Sequence, residues 1–278
     1  MDDRAIGIFD SGLGGLTVSR AILELLPNER IFYFGDTARL PYGSKSPETV
    51  LRFSEENVRF LLGKDVKCIV IACNTATAIA LPQLAKQFPI PFLGVIEAGA
   101  ERAASCTKNG RIGVIGTERT IASGAYSAAL RARNPNLSVI EKACPLLVPL
   151  IEEGWVAHEA ARLVVREYLD PLEAAGIDTL ILGCTHYPLL AERIRACYPQ
   201  ITLVDSAFSS ARALSLMLRE RRLESGGSAD GRMEAGLRRG AITVWVSDYS
   251  ATFHKMAEGI LQSSLDGVIF SMDAEMNG

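Results

Sequence analysis

The chain has 278 residues, 48% of them hydrophobic, 22% charged and 7% aromatic, with 24 Gly and 12 Pro; this describes about two small folded domains and excludes disordered or collagen-like architecture. Its 29 basic and 32 acidic residues leave a net charge of -3, and no Lys/Arg run with interleaved aromatics is present, so nucleic acid is not expected as a primary partner. In chain order, Ala5 to Phe9 reads as a strand, Thr17 to Leu26 as a helix, Ile31 to Phe34 as a strand, Pro47 to Leu62 as a helix and Cys68 to Ala72 as a strand. The near-continuous apolar runs around Ile8 and Ile69 predict parallel strands buried on both faces, with helices on either side.

The pattern then restarts. Ile112 to Thr117 echoes Ile6 to Ser11 at an offset of 106 residues, and Thr179 to His186 echoes Cys68 to Thr75 at an offset of 111. Two echoes in the same order predict an internal duplication: an α/β protein of two similar lobes, each a mainly parallel sheet flanked by helices, with the active site in the cleft between them. A helix from Ala207 to Arg221 follows, then a Gly/Ser-rich interval, Ser225-Gly226-Gly227-Ser228, where low order is expected. The last strand, Ile242 to Val246, and the helix from Ala251 to Leu261 are too little for a third core. They are expected to pack on the first lobe, giving one lobe of residues 1–97 plus 208–278 and a second of 98–207.

No apolar run approaches the ~18 residues of a membrane span, and the first apolar segment is too brief for a signal peptide. A cytoplasmic protein with six free thiols is expected, because a chain of this size builds its own core without disulfides.

Ligands of open parallel sheets sit beyond the carboxyl ends of the strands, and both echoed motifs place a cysteine there. Cys73 is followed by Asn74-Thr75 and Cys184 by Thr185-His186, so each heads a polar turn of hydrogen-bonding groups. A helix N-terminus behind each would lower its pKa from about 8.5 towards neutrality. Cys68, Cys106, Cys144 and Cys197 read as ordinary small hydrophobes. No Cys-x-x-Cys or His-x-x-x-His spacing announces a metal, so none is expected.

Two matched thiols suit proton transfer on opposite faces of one carbon. A single nucleophilic cysteine with His186 as base, or two lobes that clamp an amino acid without changing it, are the competing readings. Asp10-Ser11-Gly12-Leu13-Gly14-Gly15 is neither a dinucleotide fingerprint nor a phosphate loop; Asp10 and Ser11 are either site residues or helix caps. The long glycine-punctuated segment from Tyr33 to Ser44 lines a pocket or forms a turn, with Tyr42 on the surface and Gly43 at positive φ. Glu152 by itself reads as a solvated helix charge.

The blocks IGIFDSGLGGLTV (6 to 18), YFGDTARLPYGSKS (33 to 46), ACNTATA (72 to 78), LILGCTHYPLL (180 to 190) and VDSA (204 to 207) together resemble the glutamate racemases of the aspartate/glutamate racemase family, over most of the chain. The resemblance implies a cofactor-independent racemase that interconverts L- and D-glutamate for peptidoglycan precursors, with Cys73 and Cys184 as the acid/base pair. It implies that Asp10 assists Cys73 through a hydrogen bond, and that His186 and Glu152 likewise assist Cys184. Substrate contacts carry over to Asp10, Ser11, Tyr42, Gly43, Asn74, Thr75, Thr185 and His186, with Thr117 as a further candidate. Aspartate racemases, which share the architecture, resemble Gly-Cys-Thr-Glu where this chain has Gly-Cys-Thr-His186, so glutamate is the expected substrate. Family members with a long N-terminal extension respond to a cell-wall precursor, and such activation is not expected here, where the chain begins a few residues before its first strand; family members are often dimers, so the resemblance implies a possible homodimer.

Overall fold

The computed structural model describes residues 1–226, 241–249, 251–262 and 269–271. Gly227 and Ser228, part of the Gly/Ser interval where low order is expected, lie outside the described residues.

The first half runs β1 (Ile6–Asp10), α1 (Leu16–Leu25), β2 (Ile31–Gly35), α2 (Pro47–Leu62), β3 (Cys68–Ile71), α3 (Asn74–Gln87), β4 (Phe92–Gly94) and α4 (Val95–Cys106). The second runs β5 (Arg111–Gly116), α5 (Glu118–Ala122), α6 (Ala125–Arg133), β6 (Ser138–Ala143), α7 (Leu147–Glu152), α8 (Glu159–Ala174), β7 (Thr179–Gly183), α9 (Ala191–Cys197), β8 (Thr202–Asp205) and α10 (Ser206–Arg221). β9 (Ile242–Val246), α11 (Ala251–Leu261) and β10 (Ile269–Ser271) close the chain.

Local chemistry sets the element ends. At α2, Ser46 accepts from the Thr49 N–H and Pro47 occupies the first turn, where its missing N–H costs nothing. The buried face of that helix then recurs at Val50, Ser54, Asn57, Val58 and Leu61. β1, β3 and β7 are buried at every position, as central parallel strands should be.

Among the described residues all strand pairings are parallel, and they form two sheets of order β10-β9-β2-β1-β3-β4 and β6-β5-β7-β8. The duplication is visible in this order: β2-β1-β3-β4 in one sheet corresponds strand for strand to β6-β5-β7-β8 in the other. The two sequence echoes are β1 with β5 and β3 with β7, so equivalent strands carry the two cysteines. β9 extends the first sheet beside β2 in the register Ile31↔Ile242 to Gly35↔Val246, as its apolar sequence required.

Each sheet has an apolar core on both faces. Helices α1, α10 and α11 cover one face of the first sheet, and α2 and α3 the other. In the second, Leu147, Val165 and Leu169 pack on one side, while Ile96, Ala100 and Ala103 of α4 join Tyr126 and Leu130 of α6 on the other. Helix α4 therefore packs against both lobes: Val95 sits in the first sheet's core and Ile96 in that of the second. The carboxyl ends of β1, β3, β5 and β7 all meet at one cavity.

Candidate active site

A cavity of about 350 Å³ lies between the sheets, lined by Ser11, Tyr42, Gly43, Cys73, Asn74, Thr75, Thr117, Glu152, Cys184 and His186. Ten of the sequence-derived candidates thus share one wall. Asp10 and Thr185 are not part of the lining; Leu40 and Pro41 belong to the Tyr33–Ser44 segment read as a possible pocket wall but were not singled out, and Val148 and Gly183 are lining residues that sequence reasoning missed. These four are apolar or glycine and carry no chemical signal of their own.

Cys73 follows β3 and caps α3, its sulfur accepting from the Ala76 N–H at 3.4 Å. The thiol lies 3.7 Å from Ser11 Oγ, to which it donates. Burial, then the nearby Asp10 charge, pushes its pKa up to about 12, outweighing the backbone N–H and Ser11. This corrects the expectation of a lowered value: the helix-end donor is present, but desolvation is the larger effect. At Cys184 no long helix follows; Thr185 and His186 lead into a 3-10 turn at Tyr187–Leu190 before the short α9.

Asp10 is fully buried, its Oδ2 accepting from the N–H groups of Gly12 and Gly15 at 3.2 and 3.0 Å. Thr185 Oγ1 reaches it across the interface at 3.4 Å. Its oxygens being so engaged, Asp10 acts on Cys73 through charge, and Ser11 supplies the hydrogen bond that the resemblance assigned to Asp10. Burial raises the Asp10 pKa, opposed by the His186 charge and these backbone N–H groups.

His186 is 4% exposed, with Nδ1 3.8 Å from Cys184 Sγ and Nε2 3.1 Å from Glu152 Oε1. Burial by itself would lower the His186 pKa, but Cys184, Glu152 and Asp10 together lift it to about 10. At neutral pH the ring is an imidazolium with both N–H groups matched to acceptors. Glu152, the last residue of α7, touches Cys184 only through this ring.

Three hydroxyls close the far side. Thr75 Oγ1 lies 2.9 Å from Thr117 Oγ1 and 3.1 Å from Thr120 Oγ1, joining α3 to α5. Thr120, absent from the sequence reading, is fully buried and had no signal beyond its position in the first turn of the helix after β5. Asn74 is 2% exposed; its Oδ1 accepts from Tyr126 OH at 2.6 Å and its Nδ2 has no protein partner.

Tyr42 is 1% exposed, so the surface-turn alternative fails; its OH donates to buried Asp36 and accepts from Asn57 Nδ2 at 3.0 Å. Gly43 does not have positive φ. It is needed for space: a Cβ there would lie 2.5 Å from Thr117 Cβ. All six cysteines are free, with Cys68 and Cys144 buried and Cys106 and Cys197 partly exposed.

Paired α/β lobes with a cysteine at the same strand end of each, facing one cavity, define an acid/base isomerase, and the chain belongs to the Asp/Glu/Hydantoin racemase family, whose profile matches residues 6–214. It is 49% identical to the glutamate racemase of Geobacter metallireducens over 274 residues, which is 98% of each chain. Among solved structures, a glutamate racemase isoform from Bacillus anthracis superposes with a TM-score of 0.89 at 37% identity, and the Francisella tularensis glutamate racemase in complex with D-glutamate with 0.88 at 36%, each covering 98% of both chains. Within the family the chain therefore falls with the glutamate racemases. Among the described residues, no helix is long and apolar enough to cross a membrane.

Proposed function

We propose that the chain interconverts L- and D-glutamate by a two-base mechanism with Cys73 and Cys184 on opposite faces of the substrate Cα. The observation that supports this most is the pair of equivalent strand ends, β3 and β7, each carrying a cysteine into the same cavity. One sulfur, as thiolate, takes the Cα proton; the other, as thiol, returns one from behind, and the roles exchange in the reverse direction. The cysteines end each turnover with their protonation states swapped, so solvent exchange restores them.

The carbanion needs its charge held while it lasts. Asn74 Nδ2, the Thr75 and Thr117 hydroxyls and the Ser11 hydroxyl are donors in a wall from which water is largely excluded, where such hydrogen bonds are strongest. His186, cationic and backed by Glu152, neutralises negative charge on the Cys184 side; Asp10 keeps Cys73 as a neutral thiol until a proton is required. His186 in place of the carboxylate seen in the aspartate-specific pattern supports glutamate as substrate. No added cofactor is called for in this scheme, and the product serves peptidoglycan synthesis.

The same reading divides the chain into residues 1–97 with 208–278 and residues 98–207, with the first crossing inside α4. It also locates the protein in the cytoplasm, in keeping with six unpaired cysteines, and as a homodimer, which sedimentation of the purified chain tests. For the activity, the test is incubation with L-glutamate in deuterated water without added metal or pyridoxal phosphate. Deuterium should enter Cα while optical rotation decays to zero. Unchanged rotation would leave a binding protein, and a trapped covalent adduct would favour the cysteine-hydrolase alternative.

A further inference from the structure

We propose that Tyr126, a residue outside the cavity lining, positions the substrate-binding amide of Asn74 and so ties that contact to the spacing of the two lobes; this rests on the racemase reading of the cavity. Tyr126 sits near the start of α6 in the second lobe and is fully buried. Its OH crosses the interface to donate to Asn74 Oδ1 at 2.6 Å.

The direction of that bond decides which end of the amide meets the substrate. A tyrosine hydroxyl has one proton to give, and among the described residues the only side chain it bonds is Asn74. With the amide reversed, Asn74 Nδ2 would occupy the bond, the tyrosine proton would lack an acceptor, and a carbonyl oxygen would face a cavity that takes an anion. In the observed orientation Nδ2 is buried in the cavity wall with no protein partner. An orphaned buried amide costs free energy unless a ligand completes it, and a carboxylate oxygen does so.

The ring has a second contact. A Cβ on Gly183 would come within 3.1 Å of Tyr126 Cε2, so the ring packs against the backbone immediately before Cys184. One side chain therefore touches the residue after Cys73 and the residue before Cys184. Its hydroxyl orients a donor, and its ring spaces the two cysteine turns.

Tyr126→Phe separates these roles, since it keeps the ring and removes the hydroxyl. The expected result is a rise in KM of about tenfold for both enantiomers, the size of one lost charge-assisted hydrogen bond, with a smaller change in kcat. Asn74→Ala should raise KM similarly, and the double variant should be no worse than Asn74→Ala alone, because each change removes the same contact. An unchanged KM in Tyr126→Phe, or losses that multiply in the double variant, would overturn the proposal. A second measurement uses the wild type: the side-chain amide signals of Asn74, assigned by their loss in Asn74→Ala, should shift in ¹⁵N–¹H spectra on adding D-glutamate. Signals that stay in place while the enzyme turns over would also overturn it. Failure of the racemase reading itself would instead appear as a wild type that exchanges no Cα hydrogen.

Discussion

Side-chain chemistry at this site depends on charge held out of water. The raised His186 pKa, near 10 against 6.5 for a free ring, makes the folded state bind a proton that the unfolded chain releases. Its contribution to stability is therefore fully present below about pH 6.5 and is lost as pH rises through about 10. The stability difference between wild type and His186→Asn, from denaturant midpoints across that window, should shrink with rising pH; a difference that grows would reverse the assignment. Glycines test space in the same way. Gly43→Ala would drive a methyl to 2.5 Å from Thr117 Cβ, costing about 1–3 kcal/mol and at least a tenfold loss in kcat/KM. Gly259→Ala, with nothing within 4 Å of the new methyl and an exposed place in α11, should instead stabilise by about 0.5–1 kcal/mol, and thermal unfolding of the two variants compares them directly. Cys73 and Cys184 were legible because strand-end position and a polar turn mark them. Glu152 entered only through the family resemblance and Thr120 not at all, since their contacts are with residues distant in sequence, His186 and Thr75.

Among the elements, those with strong periodicity were read well: α2, β9 and α11 begin and end where their patterns do. The edge strands β4 and β6 were not named in advance: β4 is only three residues long, Phe92–Gly94, and β6 is half-exposed and mixes polar residues with apolar ones. The approach of the 26–31 turn to the start of β3 was equally hidden. There Lys67 Nζ meets Glu29 Oε2 at 2.5 Å, with side-chain exposures of 0% and 5%, and also donates to the Asp2 carbonyl and to Ser225 Oγ. Three other chain segments converge on this one ammonium. Lys67→Met should destabilise by about 3–5 kcal/mol by leaving Glu29 buried and unpaired, whereas Lys67→Met with Glu29→Leu should recover much of that. Urea titrations of the three proteins measure it; equal losses in the single and double variants would mean that the backbone contact, rather than the ion pair, is what matters.

On the scale of the whole chain, duplication explains why one cavity has two matched walls. The echoes of 6–11 at 112–117 and of 68–75 at 179–186 made the repeat readable, and the strand orders of the two sheets bear out two similar lobes. What the repeat does not reveal is how the copies differ. Thr75 faces Thr117, Asp10 faces Thr185, and Asn74 faces Tyr126, each a pairing of unlike positions across the interface. The surroundings of the two thiols differ as well, with the Asp10 carboxyl near Cys73 and the His186 ring 3.8 Å from Cys184 Sγ. The most direct measurement is the structure of this chain with D-glutamate bound at neutral pH. Both sulfurs should stand within about 3.5–4 Å of the substrate Cα on opposite faces, with a substrate carboxylate against Asn74 Nδ2. Glutamate bound with one sulfur turned away from Cα, in a chain that still racemises it, would contradict the two-thiol account.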